Sequence, residues 1–486
     1  MGLAVRSELR LRADTGRVIS RLFIPGQELV GGSEARTSEA VARVLALSEE
    51  DVTATLEELF GRFSKRHDDL EQIFEDHAAR VAAYISEPIS ASRRLLLGAA
   101  FTHEYALEGA SICNPSIVAH PDQSNVGVGG LRIILSYRSI GEGHRSAICF
   151  RTGEIDSHGE LTLIEQHPFP IVGSVSSDLS HRDVFHAKLQ DLGLDGENAA
   201  YVLDSLAPEF SNEEFQAALA ALMTQSDTRE NVVETVLVLQ AIAECFYVAT
   251  FDPTTDISRR VLWPAMPVEG QGMEDARFVH FVDDDTPRYV ASYTAFDGHS
   301  VVQQLLKTND FLTFASSPLG GEGASNKGMA IFPRKVGGRF VALSRHDRES
   351  NAIAFSDDMH LWNDVTTVQV PLHPWEIIQL GNCGSPIELE EGWLVLTHGV
   401  GPMRTYGIGA LLLDLEDPTK ILSYLPRPLL LPDSDEQDGY VPNVVYTCGS
   451  IIHDGTLHLP YGISDQSIGF ATVEVADLIA ALQPAA

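Results

Sequence analysis

Near the middle of the chain, Gly272-Met273-Glu274-Asp275-Ala276-Arg277-Phe278 sets two carboxylates and a guanidinium between a glycine and an apolar run. Adjacent carboxyls repel as anions, so one of them can keep its proton near neutral pH. That is what a general acid needs to protonate a departing glycosidic oxygen. A Glu-Asp pair by itself also reads as a solvated turn, so its meaning depends on what the fold brings beside it. Basic residues matter singly here, because 34 Lys and Arg stand against 68 Asp and Glu, a formal charge of −34. So acidic a surface repels nucleic acid and anionic membranes. An anionic substrate would need its own local cluster of cations.

The elements that must position such residues change character along the chain. Up to about residue 100 the pattern is mostly helical. Ser48 with Asp51 reads as a capping box, followed by Val52, Leu56, Leu59, Phe60, Phe63, Leu70, Ile73 and Phe74 at three- and four-residue spacing. Five apolar, alternating segments follow that end abruptly in polar or small residues: LRIILSYR (131–138), PRYVASYT (287–294), GRFVALSR (338–345), GWLVLTHG (392–399) and TLHLPYG (456–462). The last four recur at intervals typical of propeller blades. Between the first two lies a helical stretch, about 180–250, with a capping box at Ser211 and Glu214 and an apolar helix from Val233 to Phe246. The expectation is a mainly β chain: a five-bladed β-propeller over 106–486 with a helical insertion at about 180–250, and an N-terminal helical extension over 1–105. The innermost strand of each blade lines a central channel, so the segment ends Tyr137 and Arg138, Tyr293 and Thr294, Ser344 and Arg345, His398 and Tyr461 are expected to converge. The helical parts are expected to pack on the flank and support a homodimer.

Several chemistries are excluded. The five cysteines, Cys113, Cys149, Cys245, Cys383 and Cys448, are odd in number and form no C-x-x-C pair, which argues against a disulfide framework or a zinc site. His181 and His186 lack a third ligand, so no metal is expected. Gly127, Gly129 and Gly130 suit a hairpin rather than a phosphate loop, and there is no G-x-S-x-G elbow. The charged N-terminus lacks the apolar centre of a signal peptide, and no run is long and apolar enough for a transmembrane helix; the expected location is cytoplasmic.

GMEDARF resembles the Glu-Asp-Pro-Arg motif of glycoside hydrolase family 130, with Ala276 in place of the commoner proline. The resemblance continues in order through Asn114-Pro115-Ser116, the strand ending in Arg138, Asn326-Lys327-Gly328, FPRKVGGRFVALSR, GNCGSPIELEEGWLVLTHGV, Tyr406-Gly407-Ile408-Gly409-Ala410, YVPNVVYTCG and Tyr461 to Asp465. It is closest in style to members acting on β-1,2-linked oligomannans. It implies inverting phosphorolysis of β-mannosides to α-mannose 1-phosphate, with inorganic phosphate as co-substrate and no cofactor. Asp275 takes the general acid's position, and Lys327, Arg345, His398 and Tyr406 the phosphate-binding positions. Asn114, Arg138 and Asp465 match positions that bind the mannosyl unit, and Glu274, Arg277 and Asn326 are expected among the substrate contacts; Arg277 reads either as orienting the acid by a salt bridge or as part of a structural ion pair. Two rival readings are a β-mannosidase on the same fold, which uses water, and a non-catalytic sugar-binding propeller.

Overall fold

A computed structural model describes residues 2–25, 34–177, 179–282 and 289–485. The chain is mainly β with several helices and divides into two compact units: residues 14–109 with 167–171, and the remainder.

In the smaller unit, helices Glu34–Leu45, Glu49–Phe63, Leu70–Arg80 and Ala91–Ala100 accompany a ribbon of Val18–Leu22 and Thr102–Ala106. Ser48 caps the second helix by accepting from the Asp51 amide at 3.1 Å. The three- and four-residue spacing buries Val52, Leu56 and Phe74, and Val52 and Leu56 join Val41, Leu97 and Phe101 in one core. The helical expectation does not hold over residues 2–25. Val18–Leu22 is a strand of that ribbon, and Val5–Arg12 is a strand of the larger unit. Short alternating segments this close to the terminus carry no helical period, and a sheet edge elsewhere in the chain provides their partner.

In the larger unit, antiparallel groups of four strands recur five times among the described residues. The first runs Ser111–Ala119, Leu131–Ile140, Ser146–Ile155 and Leu161–Leu163. The second runs Gly272–His280, Tyr289–Phe296, Val301–Thr308 and Thr313–Pro318. The third comprises Ala330–Ile331, Phe340–Ser344, Asn351–Ser356 and Asp364–Gln369. The fourth comprises Gln379–Asn382, Gly392–Val400, Tyr406–Leu413 and Ile421–Tyr424. The fifth joins Val445–Tyr446, Thr456–Ile463 and Ser467–Glu474 to the N-terminal strand Val5–Arg12. Glu436, buried, accepts from Arg6, Arg10 and the Tyr461 hydroxyl and ties that first strand to the last group.

The five segments singled out in the sequence are the second strands of these groups, not the first. Two residues of PRYVASYT, Pro287 and Arg288, lie outside the described residues. The insertion is helical as expected: Arg182–Leu192, Glu197–Leu203, Asn212–Met223 and Val232–Ala243 close around Phe185, Phe210, Phe215 and Phe246. Ser211 and Glu214 form the reciprocal capping box. Among the described residues, no helix is long and apolar enough to cross a membrane.

Candidate active site

Two β-bulges aim the central residues. In the strand Gly272–His280, Glu274 faces Thr294 and Arg277 faces Ser292, so Asp275 and Ala276 share one partner position. Asp275 takes the left-handed conformation, φ +56°. A regular strand would send Glu274 and Asp275 to opposite faces; the extra residue lets both point into one cavity. The strand Ser111–Ala119 repeats the device, with a register shift between Cys113 and Ser116 and Asn114 at φ +50°. Asn and Asp tolerate this conformation better than other residues with a side chain.

Both bulges open on a cavity of about 330 Å³ to which all five strand groups contribute. Of the residues predicted for the site, Asn114, Arg138, Glu274, Asp275, Arg277, Lys327, Arg345, His398, Tyr406 and Asp465 line it. Asn326 does not. Its amide donates to the His346 carbonyl and accepts from Arg348 Nε at 2.9 Å, which ties it to the following turn. Gln379, Arg404, Val441, Val444 and Tyr446 complete the lining. Nothing in the sequence singled these out; Tyr446 lies within YVPNVVYTCG, where the signal would have been a polar tip in an otherwise apolar run.

Of the segment ends expected to converge, only Arg138, Arg345 and His398 do so. Tyr137 is buried in the sheet. Tyr293 donates to Glu269 at 2.6 Å, and Tyr461 to Glu436 at 2.6 Å. Thr294 accepts from Gln303 at 2.8 Å, and Ser344 donates to the Gly323 carbonyl at 2.7 Å. Successive residues of a strand face opposite sides, which turns Tyr137 and Ser344 away while their neighbours Arg138 and Arg345 line the cavity; Tyr293, Thr294 and Tyr461 are taken up by partners outside the lining.

Within the cavity the charges are unevenly paired. Glu274, 5% exposed, accepts from Arg138 Nη2 at 2.6 Å and from the Lys327 ammonium. Arg277, 2% exposed, donates to the Tyr446 hydroxyl at 2.6 Å and the Met329 carbonyl at 3.2 Å; its expected salt bridge to Asp275 is not formed. Arg345 donates to the Arg348 carbonyl at 2.8 Å. Among the described residues neither Arg277 nor Arg345 makes an ion pair, and the buried Nε of each has no partner. Two glycines make room for this pair of guanidiniums. A Cβ on Gly381 would lie 2.4 Å from Arg345 Cδ and 2.5 Å from His398 Cε1, and one on Gly328, φ +98°, would lie 3.0 Å from Arg345 and 3.1 Å from Arg277. His398 Nδ1 lies 3.1 Å from the Asn382 carbonyl, its ring stacked on Tyr406 and edge-on to Tyr446. Asp275 makes no side-chain hydrogen bond among the described residues, so its carboxyl faces the cavity unengaged. Among the described residues, no group of three or more His, Cys, Asp or Glu is placed to hold a metal ion.

Burial pushes the Asp465 carboxyl up to about 6; Asp275 and Glu274 add to the shift, while Arg138 and Arg404 oppose it. The folded chain therefore keeps a proton that the unfolded chain has already lost, and the contribution of this group to stability falls as pH rises from about 4 to about 6. Chemical denaturation across that range is expected to show a component of this sign that disappears in Asp465→Asn.

The sequence model of glycoside hydrolase family 130, described as beta-1,4-mannooligosaccharide phosphorylase, matches residues 252–483. A beta-1,2-mannobiose phosphorylase of Thermoanaerobacter sp. (strain X514) is 33% identical over 218 residues, 44% of this chain and 70% of that relative. The chain belongs to glycoside hydrolase family 130. Two further similar proteins are a 1,2-beta-oligomannan phosphorylase of the same Thermoanaerobacter strain, 39% identical over 155 residues, and a beta-1,2-mannobiose phosphorylase of Listeria innocua, 33% identical over 232 residues. These matches cover 32% and 46% of this chain and span 52% and 63% of the two relatives. The solved structure of the Listeria innocua enzyme with beta-1,2-mannobiose aligns with a TM-score of 0.46 at 21% identity, over 78% of this chain and 93% of that one. The family match takes in the bulge that carries Asp275 and every residue lining the cavity except Asn114 and Arg138, which precede it.

Proposed function

We propose that the chain phosphorolyses β-mannosides, β-1,2-linked oligomannans in particular, with inversion, releasing α-mannose 1-phosphate and a shortened oligosaccharide. The observation that carries this reading is the pair Arg277, buried, and Arg345, half-buried with a buried Nε, guanidiniums without a carboxylate partner among the described residues in a chain of net charge −34. For Arg277, a buried charge without an ion-pair partner among the described residues, the cost is several kcal/mol, on the order of 3–5. A phosphate in the cavity offsets that cost, and a water nucleophile does not. The cavity also holds more cations than carboxyl groups, Arg138, Arg277, Lys327, Arg345 and Arg404 against Glu274, Asp275 and Asp465, which favours an anion.

In this mechanism Asn114, Arg138 and Asp465 hold the terminal mannosyl unit. Phosphate, bound by Arg345, Lys327, His398 and Tyr406, attacks the anomeric carbon on the face opposite the leaving oxygen. Asp275 protonates that oxygen directly or through a sugar hydroxyl. Phosphate replaces the base-activated water of an inverting hydrolase, so no second catalytic carboxylate is needed. Glu274 holds Arg138 on the sugar side and Lys327 on the anion side in one register. The linkage assignment is supported by relatives named for β-1,2-mannosides. The five strand groups, the N-terminal strand joined to the last of them and the shared cavity support a five-bladed propeller with the site at one end of its axis.

The test is incubation with β-1,2-mannobiose and longer oligomers, with and without phosphate. Mannose 1-phosphate is expected only when phosphate is present. Equal release of free mannose under both conditions would mean hydrolysis instead.

A further inference from the structure

The imidazole of His398 is held in a single tautomer. Nδ1 lies 3.1 Å from the backbone carbonyl of Asn382, and a carbonyl oxygen only accepts, so Nδ1 carries the hydrogen. A second proton, on Nε2, is opposed from every side that faces the ring. The residue is 1% exposed. Arg345 and His398 crowd the same face of Gly381, and Arg277 reaches the ring's other neighbour, Tyr446, whose ring lies 4.9 Å away. Tyr406 stacks on the imidazole at 5.9 Å, and no carboxylate pairs with it among the described residues. Burial first, then the two guanidiniums, hold its pKa well below the ordinary histidine value. Nε2 therefore presents a lone pair, and it makes no hydrogen bond to any described residue.

We propose that His398 accepts a hydrogen bond from a P–O–H group of the bound phosphate, so that the site selects a protonated tetrahedral oxyanion and rejects sulfate. This rests on the phosphorolysis reading above. Inorganic phosphate keeps a proton at neutral pH, as does arsenate; sulfate has none, and its lone pairs would face that of Nε2. The contact also orients the nucleophile. With its hydroxyl turned to His398, the anion presents its deprotonated oxygens to Arg345 and to the sugar. One of these oxygens forms the bond to the anomeric carbon as the glycosidic C–O bond breaks. The leaving oxygen takes the bond pair and the proton of Asp275. The P–O–H proton stays on the sugar phosphate through the step and is released with it to solvent, from which Asp275 regains its own.

Calorimetric titration of the whole chain near pH 7 with phosphate, arsenate and sulfate tests this. Phosphate and arsenate are expected to bind within a few-fold of each other and sulfate about ten- to a hundred-fold more weakly, the cost of leaving a buried acceptor unmatched. In His398→Gln the carboxamide can donate where Nε2 cannot, and the sulfate-to-phosphate ratio is expected to move toward one. Sulfate binding as tightly as phosphate to the wild type overturns the proposal without reference to any variant, as does an unchanged ratio in a folded His398→Gln. Turnover independent of phosphate, with no binding of phosphate or arsenate, would instead remove the phosphorolysis reading on which it stands.

Discussion

Asp275→Asn is expected to lower turnover by about 10²- to 10⁴-fold, the usual loss when a positioned proton donor is removed. The substitution preserves size and part of the hydrogen-bonding capacity, and Asn tolerates the left-handed backbone that Asp275 adopts at φ +56°. The bulge should therefore survive, with Glu274 still bridging Arg138 and Lys327. Because the Asp275 carboxyl makes no hydrogen bond within the protein among the described residues, its removal breaks no structural contact. Sugar affinity measured by calorimetry should change far less than the rate. Normal turnover in this variant would exclude Asp275 as the acid and direct attention to Asp465, the other carboxyl of the cavity without a hydrogen-bond partner among the described residues.

Arg345→Ala is expected to weaken apparent phosphate affinity by roughly ten- to a hundred-fold, the equivalent of one charge-assisted hydrogen bond of about 1.5–3 kcal/mol. Oligosaccharide binding measured without phosphate should be nearly unchanged. The ion pairing of the cavity explains why Arg345 is the informative cation. Lys327 is engaged by Glu274, so its loss also releases a buried carboxylate and disturbs the sugar side through Arg138. Among the described residues Arg345 has no carboxylate partner, and its one hydrogen bond goes to the Arg348 carbonyl. Thermal melting without phosphate should accordingly be little affected, whereas the stabilisation conferred by added phosphate should shrink. An unchanged phosphate dependence of the rate would place the anion elsewhere.

The two variants also separate what each residue does. Asp275→Asn acts on the bond-breaking step with both ligands bound, and so appears in kcat. Arg345→Ala acts first on the capture of one ligand, and so appears in the phosphate KM.

Much of this site is legible along the chain because the residues that carry chemistry sit in local motifs. Glu274, Asp275 and Arg277 fall within seven residues, and their types suggest acid chemistry before any fold is known. The helical and β textures are legible for the same reason, since hydrophobic periodicity is local; the helices at 49–63 and 232–243 and the five alternating segments follow from it. Charge is legible too: a net −34 requires that any anion site concentrate cations.

Only the tertiary structure decides which of those residues meet. Tyr293 and Tyr461 end their segments much as Arg138 and Arg345 do, yet they turn to buried glutamates while the arginines reach the cavity. Side-chain direction depends on strand register, and register is set by pairing partners and bulges that are not adjacent in sequence. Asn326, next to Lys327, is withdrawn by a turn it shares with His346 and Arg348. The N-terminal strand Val5–Arg12 has no helical period and takes its place beside Ser467–Glu474, at the other end of the chain, because an open sheet edge is satisfied by whichever strand reaches it. The sequence by itself determined the chemical inventory, the element types beyond the N-terminal strands, and the family. Pairing across hundreds of residues decided that Arg277 and Arg345 stay without an ion-pair partner among the described residues, beside a His398 held neutral, because burial, hydrogen-bond partners and charge balance belong to the assembled cavity rather than to any one segment of the chain.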